Sequence, residues 1–179
     1  MNKNTFDIGG VCFDIYSDDS VFGDGTHETT KCLLEYLRQR ELNGKTVIDL
    51  GTGTGILSVY AAKRGASVLA VDINGTALEW ARKNFKRNDV QVEVEINDKL
   101  QYIDRKADVI VSNLPPAEQV EAMYTAKNNL TEDGVLIVSW LKQLDLERFT
   151  RDFEVEDHVE GEVYDAYVLK RKKEAKKAR

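Results

Sequence analysis

Thr46-Val47-Ile48-Asp49-Leu50-Gly51-Thr52-Gly53-Thr54-Gly55-Ile56 joins a buried strand to a helix through a turn with glycine at every second position. The first five residues form a short apolar run interrupted by one acid, the pattern of a strand covered on both faces. Glycines at 51, 53 and 55 let the backbone turn sharply and approach a ligand closely, because no Cβ intervenes. Ile56 to Lys63 then carries Leu57, Tyr60 and Ala61 on one helical face.

Working outward, the chain alternates strand and helix. Ser67–Asp72 reads as a second buried strand and Thr76–Arg87 as a helix with Ala77, Trp80 and Ala81 inward. Val90–Ile96 alternates apolar and polar, as an outer strand with one wetter face does. Asp108–Ser112 and Val135–Trp140 are two more buried strands, flanking a helix near Ala117–Leu130. A helix around Leu141–Arg151 and two late strands, about 153–159 and 162–169, complete the pattern. Upstream, Phe6, Ile8, Val11, Phe13 and Ile15 alternate about Gly9-Gly10, the signal of a hairpin. A Gly/Thr-rich loop, Val21–Thr30, leads into a helix with Leu33, Leu34 and Leu37 on its stripe. The expected architecture is α/β: a single doubly wound, mostly parallel seven-stranded sheet with a terminal antiparallel hairpin. The expected divisions are a short hairpin extension (1–20), the main domain (21–169) and a basic tail (170–179).

Composition bounds the function. The 179 residues are 42% apolar and 31% charged, ordinary for one globular domain. No apolar run approaches the ~20 residues of a membrane span, and the first residues carry no signal-peptide core. Two isolated cysteines suit a reducing cytoplasm, with no disulfide framework and no metal-ligand spacing. The net charge of −6 is uneven: residues 170–179 hold seven Lys/Arg and one Glu, leaving 18 basic and 30 acidic side chains elsewhere. A body this acidic is not expected to bind nucleic acid through a broad face. The tail reads either as a solvated end or as a contact for an anionic partner such as RNA.

Ligands of doubly wound sheets sit beyond the carboxyl ends of the strands. At the first strand's end a dinucleotide site would want glycine where Ile56 stands, and a pyrophosphate would be repelled by Asp49. No Gly-Lys-Ser/Thr follows, which excludes a phosphate-binding P-loop. An acid ahead of the loop instead favours a ligand with a cationic end, and the amino and sulfonium groups of S-adenosylmethionine have that charge. Asp72 ends the second strand 21 residues after Gly51, the spacing of a carboxylate that accepts from ribose hydroxyls; its alternative is a turn or cap role before Asn74-Gly75. Asp98, after the third strand, is placed to accept from an adenine amine, or else sits in a solvated turn.

DLGTGTG at 49–55, the acid at Asp72 and SNLPP at 112–116 resemble class I S-adenosylmethionine methyltransferases, whose fold is Rossmann-like. VFGDGTHETTKCLLEYL, Val21–Leu37, further resembles the loop and helix of PrmA-type enzymes, which methylate a ribosomal protein; the likeness runs from about Val21 to Leu141. The resemblance implies S-adenosylmethionine as cofactor and an enzyme of protein methylation. Its cofactor-binding positions are Phe22, Thr26, His27, Thr30, Asp49, Gly51, Thr52, Gly53, Gly55, Asp72, Ile73, Asp98 and Asn113, with the Phe22–Thr30 loop closing over the methionine moiety. It also implies that the Asn113 carbonyl holds the acceptor amine and that the Leu114 carbonyl lies beside the nucleophile. Two departures stand out. The family's N-terminal substrate-binding domain has no counterpart in the ~20 residues before the loop, and Ser112-Asn113-Leu114-Pro115-Pro116 replaces a stretch closer to ANIL.

Methyl transfer is an in-line displacement with a neutral leaving group, so alignment and a dry pocket matter more than acid catalysis. His27 has the side chain suited to general-base work, yet a His in such a loop also serves as a hydrogen-bonding scaffold. His158 reads as a surface residue, Trp80 and Trp140 as core, and Pro115-Pro116 as a strand stop. The acceptor is read as a protein side-chain amine. An RNA or small-molecule acceptor, or a cofactor-binding module without catalysis, are the alternatives; oligomeric state is open.

Overall fold

A computed structural model describes residues 1–173 except 145 and 150, and most of the expected basic tail, 174–179, lies outside the described residues. The central sheet follows the order β5-β4-β3-β6-β7-β9-β8. Its strands are β3 (Thr46–Leu50), β4 (Ser67–Asp72), β5 (Glu93–Ile96), β6 (Ala107–Ser112), β7 (Leu130–Leu141), β8 (Phe153–Val159) and β9 (Tyr164–Arg171). The first five run parallel, whereas β9 pairs antiparallel with β7 and with β8. A separate hairpin, β1 (Asn2–Ile8) and β2 (Val11–Ser17), precedes the sheet. The strand order reverses between β3 and β6, which opens the ligand crevice beyond the ends of those two strands.

The apolar runs in β3, β4 and β6 follow from burial on both faces. Val47, Val59, Val68 and Val109 join one core with the hairpin, α1 (Glu28–Arg38), α2 (Ile56–Lys63) and α3 (Gly75–Arg87). Ile48, Leu50, Val71 and Ile110 join a second core with α4 (Gln119–Asn129) and Trp140. Both Trp80 and Trp140 are buried, and His158 lies half-exposed on the surface, stacked on Tyr167. Among the described residues, no helix is long and apolar enough to cross a membrane, and no group of three His, Cys, Asp or Glu is placed to hold a metal.

The hairpin is part of the fold rather than an appendage. Phe13 and Ile15 enter the first core, and burying Ile15 completely contributes about 2 kcal/mol. The outer edge of β2 is paired by side chains. Asn88 accepts from Asp14 N–H (3.0 Å) and donates to its carbonyl, and Asn84 does the same for Tyr16. Asn84 also donates to the Thr54 carbonyl in the glycine turn at 2.8 Å, so one buried amide joins hairpin, helix and turn.

Several expected boundaries move. β5 begins at Glu93 rather than Val90, because Val90 N–H closes the end of α3 on the Phe85 carbonyl. The helix expected over 141–151 shrinks to α5 (Leu146–Phe149), since β7 continues to Leu141 by pairing with Tyr164. β7 also starts early, at Leu130, through a bulge opposite Ala107 and Val109. Lys170 and Arg171, placed by sequence in the tail, are the last residues of β9.

Candidate active site

The glycine turn is held by main-chain and carboxylate partners. Gly51 (φ 72°) donates to the Val71 carbonyl at 2.8 Å, and Gly53 (φ 55°) donates to Asp72 Oδ2 at 2.9 Å. A Cβ at Gly53 would lie 2.4 Å from the Phe22 carbonyl oxygen, so this position requires glycine on both conformational and steric grounds. Asp72 is buried and also accepts from Asn74 N–H through Oδ1 (2.9 Å). It therefore performs the turn role considered from sequence, while each oxygen keeps a lone pair for a further donor.

Asp49 is 1% exposed. Its Oδ2 accepts from Thr52 Oγ1 and Ser58 Oγ, both at 2.7 Å, and its Oδ1 is buried with no hydrogen-bond partner among the described residues. Burial pushes its carboxyl up to about 6, against the two hydroxyl hydrogen bonds and with some help from the Asp72 charge. An acidic oxygen buried without a donor beneath the turn carries a desolvation cost.

The loop before α1 lies across this turn. Thr54 N–H donates to the Phe22 carbonyl at 3.1 Å and Thr54 Oγ1 to the Gly23 carbonyl, latching loop to turn. His27 caps α1, its Nδ1 facing Thr29 N–H (3.3 Å) and Thr29 Oγ1 (2.8 Å). Its ring meets Phe22 and Tyr164 edge-on, at centroid distances of 5.7 and 6.0 Å. Thr26 is exposed and folded back on Asp24, bonding it through both N–H and Oγ1.

At the end of β6, Asn113 is fixed from both sides. Its Nδ2 donates to Thr30 Oγ1 (3.1 Å) and its Oδ1 accepts from Ser139 Oγ (2.8 Å). Buried Gln119 donates to the carbonyls of Leu114 (3.3 Å) and Ser139 (2.8 Å), tying the Leu114–Pro115 turn to β7. These elements enclose a cavity of about 300 Å³, walled by Phe22, His27 and Thr29, floored by Gly51 and Gly53, and closed by Asn113, Leu114, Pro115, Ser139 and Tyr164. A larger groove elsewhere is lined by surface Lys and Arg; the smaller cavity is where apolar walls and convergent polar groups coincide.

Of the residues expected from sequence, the cavity brings together Phe22, His27, Gly51, Gly53, Asn113 and Leu114. Asp49, Thr52, Gly55, Asp72 and Thr30 do not line it, though Asp72 bonds Gly53 and Thr30 bonds Asn113. Ile73, 44% exposed, and Asp98, exposed and without a hydrogen bond or ion pair among the described residues, lie at the ends of β4 and β5. Thr26 does not line the cavity, and Thr29 takes the place it was expected to fill. Sequence reasoning missed Ser139, Gln119 and Tyr164. Ser139 alone carried a signal, a hydroxyl inside the apolar run Val135–Trp140.

Comparison with known proteins agrees with this geometry. Residues 20–172 match the family described as ribosomal protein L11 methyltransferase (PrmA). The Thermosipho africanus protein named ribosomal protein L11 methyltransferase is 37% identical over 151 residues, 84% of this chain and 58% of that protein. A Halalkalibacterium halodurans protein of the same name is 39% identical, covering 84% and 50%. The chain thus spans 58% and 50% of the lengths of these two relatives. The crystal structure of a ribosomal protein L11 methylase from Lactobacillus delbrueckii subsp. bulgaricus superposes with a TM-score of 0.78 at 28% identity, over 86% of this chain and 82% of that one. A Thermus thermophilus 16S rRNA N2 G1207 methyltransferase shares the fold (TM-score 0.81, 20% identity, 96% and 50% covered). With the glycine turn, the latched loop and the Asn113 corner all within the matched residues, the chain belongs to the ribosomal protein L11 methyltransferase (PrmA) family.

Proposed function

We propose that the chain is an S-adenosylmethionine-dependent N-methyltransferase acting on an amine of a protein side chain. The observation that carries this is the Asn113 corner facing the glycine turn across one cavity, with the orphaned Asp49 Oδ1 beneath the turn. When bound, S-adenosylmethionine would supply a sulfonium-bound methyl group whose carbon takes the amine lone pair in line as the carbon–sulfur bond breaks and the demethylated cofactor leaves, neutral at sulfur.

The chain's own residues supply position and exclusion of water. Asp49, buried beneath the turn, would supply the negative charge that favours the cofactor's cationic amino group, and the unused lone pairs of Asp72 would hold its ribose hydroxyls. Ile73 and Asp98 would hold the adenine, and Phe22, with the loop through Thr26 to Thr30, would cover the methionine moiety. Gly51, Gly53 and Gly55 keep the turn clear of Cβ atoms, and Thr52 fixes Asp49.

Asn113 Oδ1 has one lone pair on Ser139 and a second for an acceptor N–H. Because Thr30 and Ser139 hold the amide at both ends, that carbonyl orients the amine without reorganising. An ordinary lysine, near 10.4, is charged in neutral water, and walls of Phe22, Leu114, Pro115 and Tyr164 favour its neutral, nucleophilic form. The Leu114 carbonyl lies beside the acceptor with Gln119 as its donor. His27 serves as cap and wall, its Nδ1 already engaged by Thr29. Family membership supports a ribosomal protein as the acceptor, and cytoplasmic work follows from such an acceptor.

Calorimetric titration with S-adenosylmethionine and its demethylated product tests the cofactor. Wild type is expected to bind at micromolar Kd, about −8 kcal/mol, with Asp72→Ala failing and Asp72→Asn, which keeps an acceptor oxygen, weakened. No binding by a folded wild type refutes the proposal. Label transfer from the cofactor to free ribosomal protein L11 then tests the acceptor class.

A further inference from the structure

The outer face of α4 and the edge of the sheet behind it share no lining residue with the cavity. Two grooves meet there. One, about 700 Å³, is lined by five cations, among them Lys127, Arg151, Arg171 and Lys172, against two carboxylates, Glu132 and Asp152. The other, about 400 Å³, runs past Tyr102, Asp104, Arg105, Lys106 and Tyr124. Asn128 lines both, so they form one tract. We propose that this tract docks single-stranded nucleic acid, its phosphates along the Lys/Arg groove and its bases on the two tyrosines.

Charge is the first support. Lys127 is paired with Asp152 and Arg105 with Glu93. Arg151, Arg171 and Lys172 make no ion pair among the described residues. Arg171 and Lys172 instead donate to the main-chain carbonyls of Lys127 and Arg151, both at 3.2 Å, and Lys106 donates to that of Asn128 at 2.6 Å. A carbonyl orients a cation without neutralising it, so these heads stay available to phosphate. They gather in a protein whose net charge is −6.

The aromatic pair is the second. Tyr102 is 78% exposed and Tyr124 43%, with ring centroids 6.2 Å apart and planes tilted by 65°. Tyr102 has φ 59°, an uncommon conformation for a bulky residue. Leu100 just before it is buried and anchored, its carbonyl accepting from Thr125 Oγ1, so the loop turns Tyr102 outward. Exposed aromatic faces beside unneutralised cations are how single strands are held, since every unstacked base presents a π face and a duplex presents none.

α4 sets the distance to the cavity. Gln119 at its start grips the Leu114 and Ser139 carbonyls, and Asn128 near its end lines the tract. The eleven residues rise about 16 Å. A bound strand therefore lies beside the cavity and leaves it open, so docking is independent of cofactor binding.

Fluorescence anisotropy of labelled oligonucleotides with the full chain tests this. Probes are a ~10-nucleotide single-stranded RNA, DNA of the same sequence, and the corresponding duplex. The single strand is expected to bind more tightly than the duplex, with log K falling against log salt at a slope of about −2, from three phosphate contacts. Tyr102→Ala is expected to weaken it roughly 5- to 100-fold. Arg151→Glu with Lys172→Glu should flatten the salt slope by about 1.4. S-Adenosylmethionine affinity should be unchanged in both variants, which separates this proposal from the catalytic one. A preference for RNA over DNA would assign 2′-hydroxyl contacts, and equal binding would assign the general single strand; either supports the tract. Duplex binding as tight as single-strand binding, an unaffected Tyr102→Ala, or no binding would overturn it.

Discussion

Replacing Asp49 by Asn should make the protein more stable at neutral pH while depriving it of its cofactor. Asp49 is buried with one oxygen unpartnered, and its carboxyl is pushed up to about 6 from an ordinary 3.8. Between those values the folded chain retains a proton that the unfolded chain has released. Stability therefore falls as pH rises through that window, and above it the ionised acid costs about 3 kcal/mol. Asn removes that cost but loses charge assistance in the bonds from Thr52 and Ser58, roughly 0.5–1 kcal/mol each. A net gain of about 1–2 kcal/mol at pH 7.5 follows, or some 2–8 °C in Tm for a chain of this size, and it should vanish near pH 4. Binding moves the other way. A cationic amino group on Oδ1 favours the ionised carboxyl, so wild-type affinity should weaken up to tenfold per pH unit below about pH 6. Proton release on binding should be detectable near pH 6 in buffers of different ionisation enthalpy. Thermal melts across pH 4–8 and calorimetry on both proteins read these quantities. A destabilised Asp49→Asn at pH 7.5, or wild-type affinity flat from pH 5 to 7, would refute the reasoning.

Asn113→Ala should lower kcat about 100-fold or more with cofactor Kd changed only a few-fold, because misplacement of the acceptor alone has that effect; single-turnover kinetics beside calorimetry checks it. Gly53→Ala, which sets a Cβ 2.4 Å from the Phe22 carbonyl, should cost more than 1 kcal/mol in denaturant unfolding and loosen cofactor binding at least tenfold. His27→Ala should lose about 1 kcal/mol of helix capping, and His27→Asn should restore it with turnover within tenfold of wild type. A 100-fold loss in His27→Asn would instead assign the ring to proton transfer.

The parallel half of the sheet was legible because strands buried on both faces leave continuous apolar runs. Each of those strands also ends beside a residue whose chemistry the apolar pattern does not require, such as Gly51, Asp72 or Asn113. The antiparallel half was legible in outline only. Where β7 ends depends on Tyr164 arriving opposite Leu141 from 23 residues further along, which no local pattern encodes. The same return strand explains why Tyr164 was missed at the cavity. Ser139 was passed over as one hydroxyl in a strand, although an isolated polar group in a buried run needs a partner, and here the partner is Asn113. In the Gly/Thr loop, composition could not tell which threonine faces inward: Asp24 captures Thr26, and the cap at His27 turns Thr29 in. Asn84 and Asn88 read as ordinary helix polars, since nothing local announces that a hairpin edge will lie against them.

Those two asparagines bear on how the molecule opens. An edge strand ordinarily exchanges its outward amide hydrogens with solvent freely, but the N–H groups of Asp14 and Tyr16 are sequestered by side chains from a helix some seventy residues away. Their deuterium uptake should follow the separation of α3 from the hairpin, not fraying of the terminus. Because Asn84 also holds Thr54, that same opening event releases the glycine turn. Hairpin, helix and turn then form one cooperative unit of local unfolding, and protection measured at Asp14 and Tyr16 reports on the integrity of the turn itself.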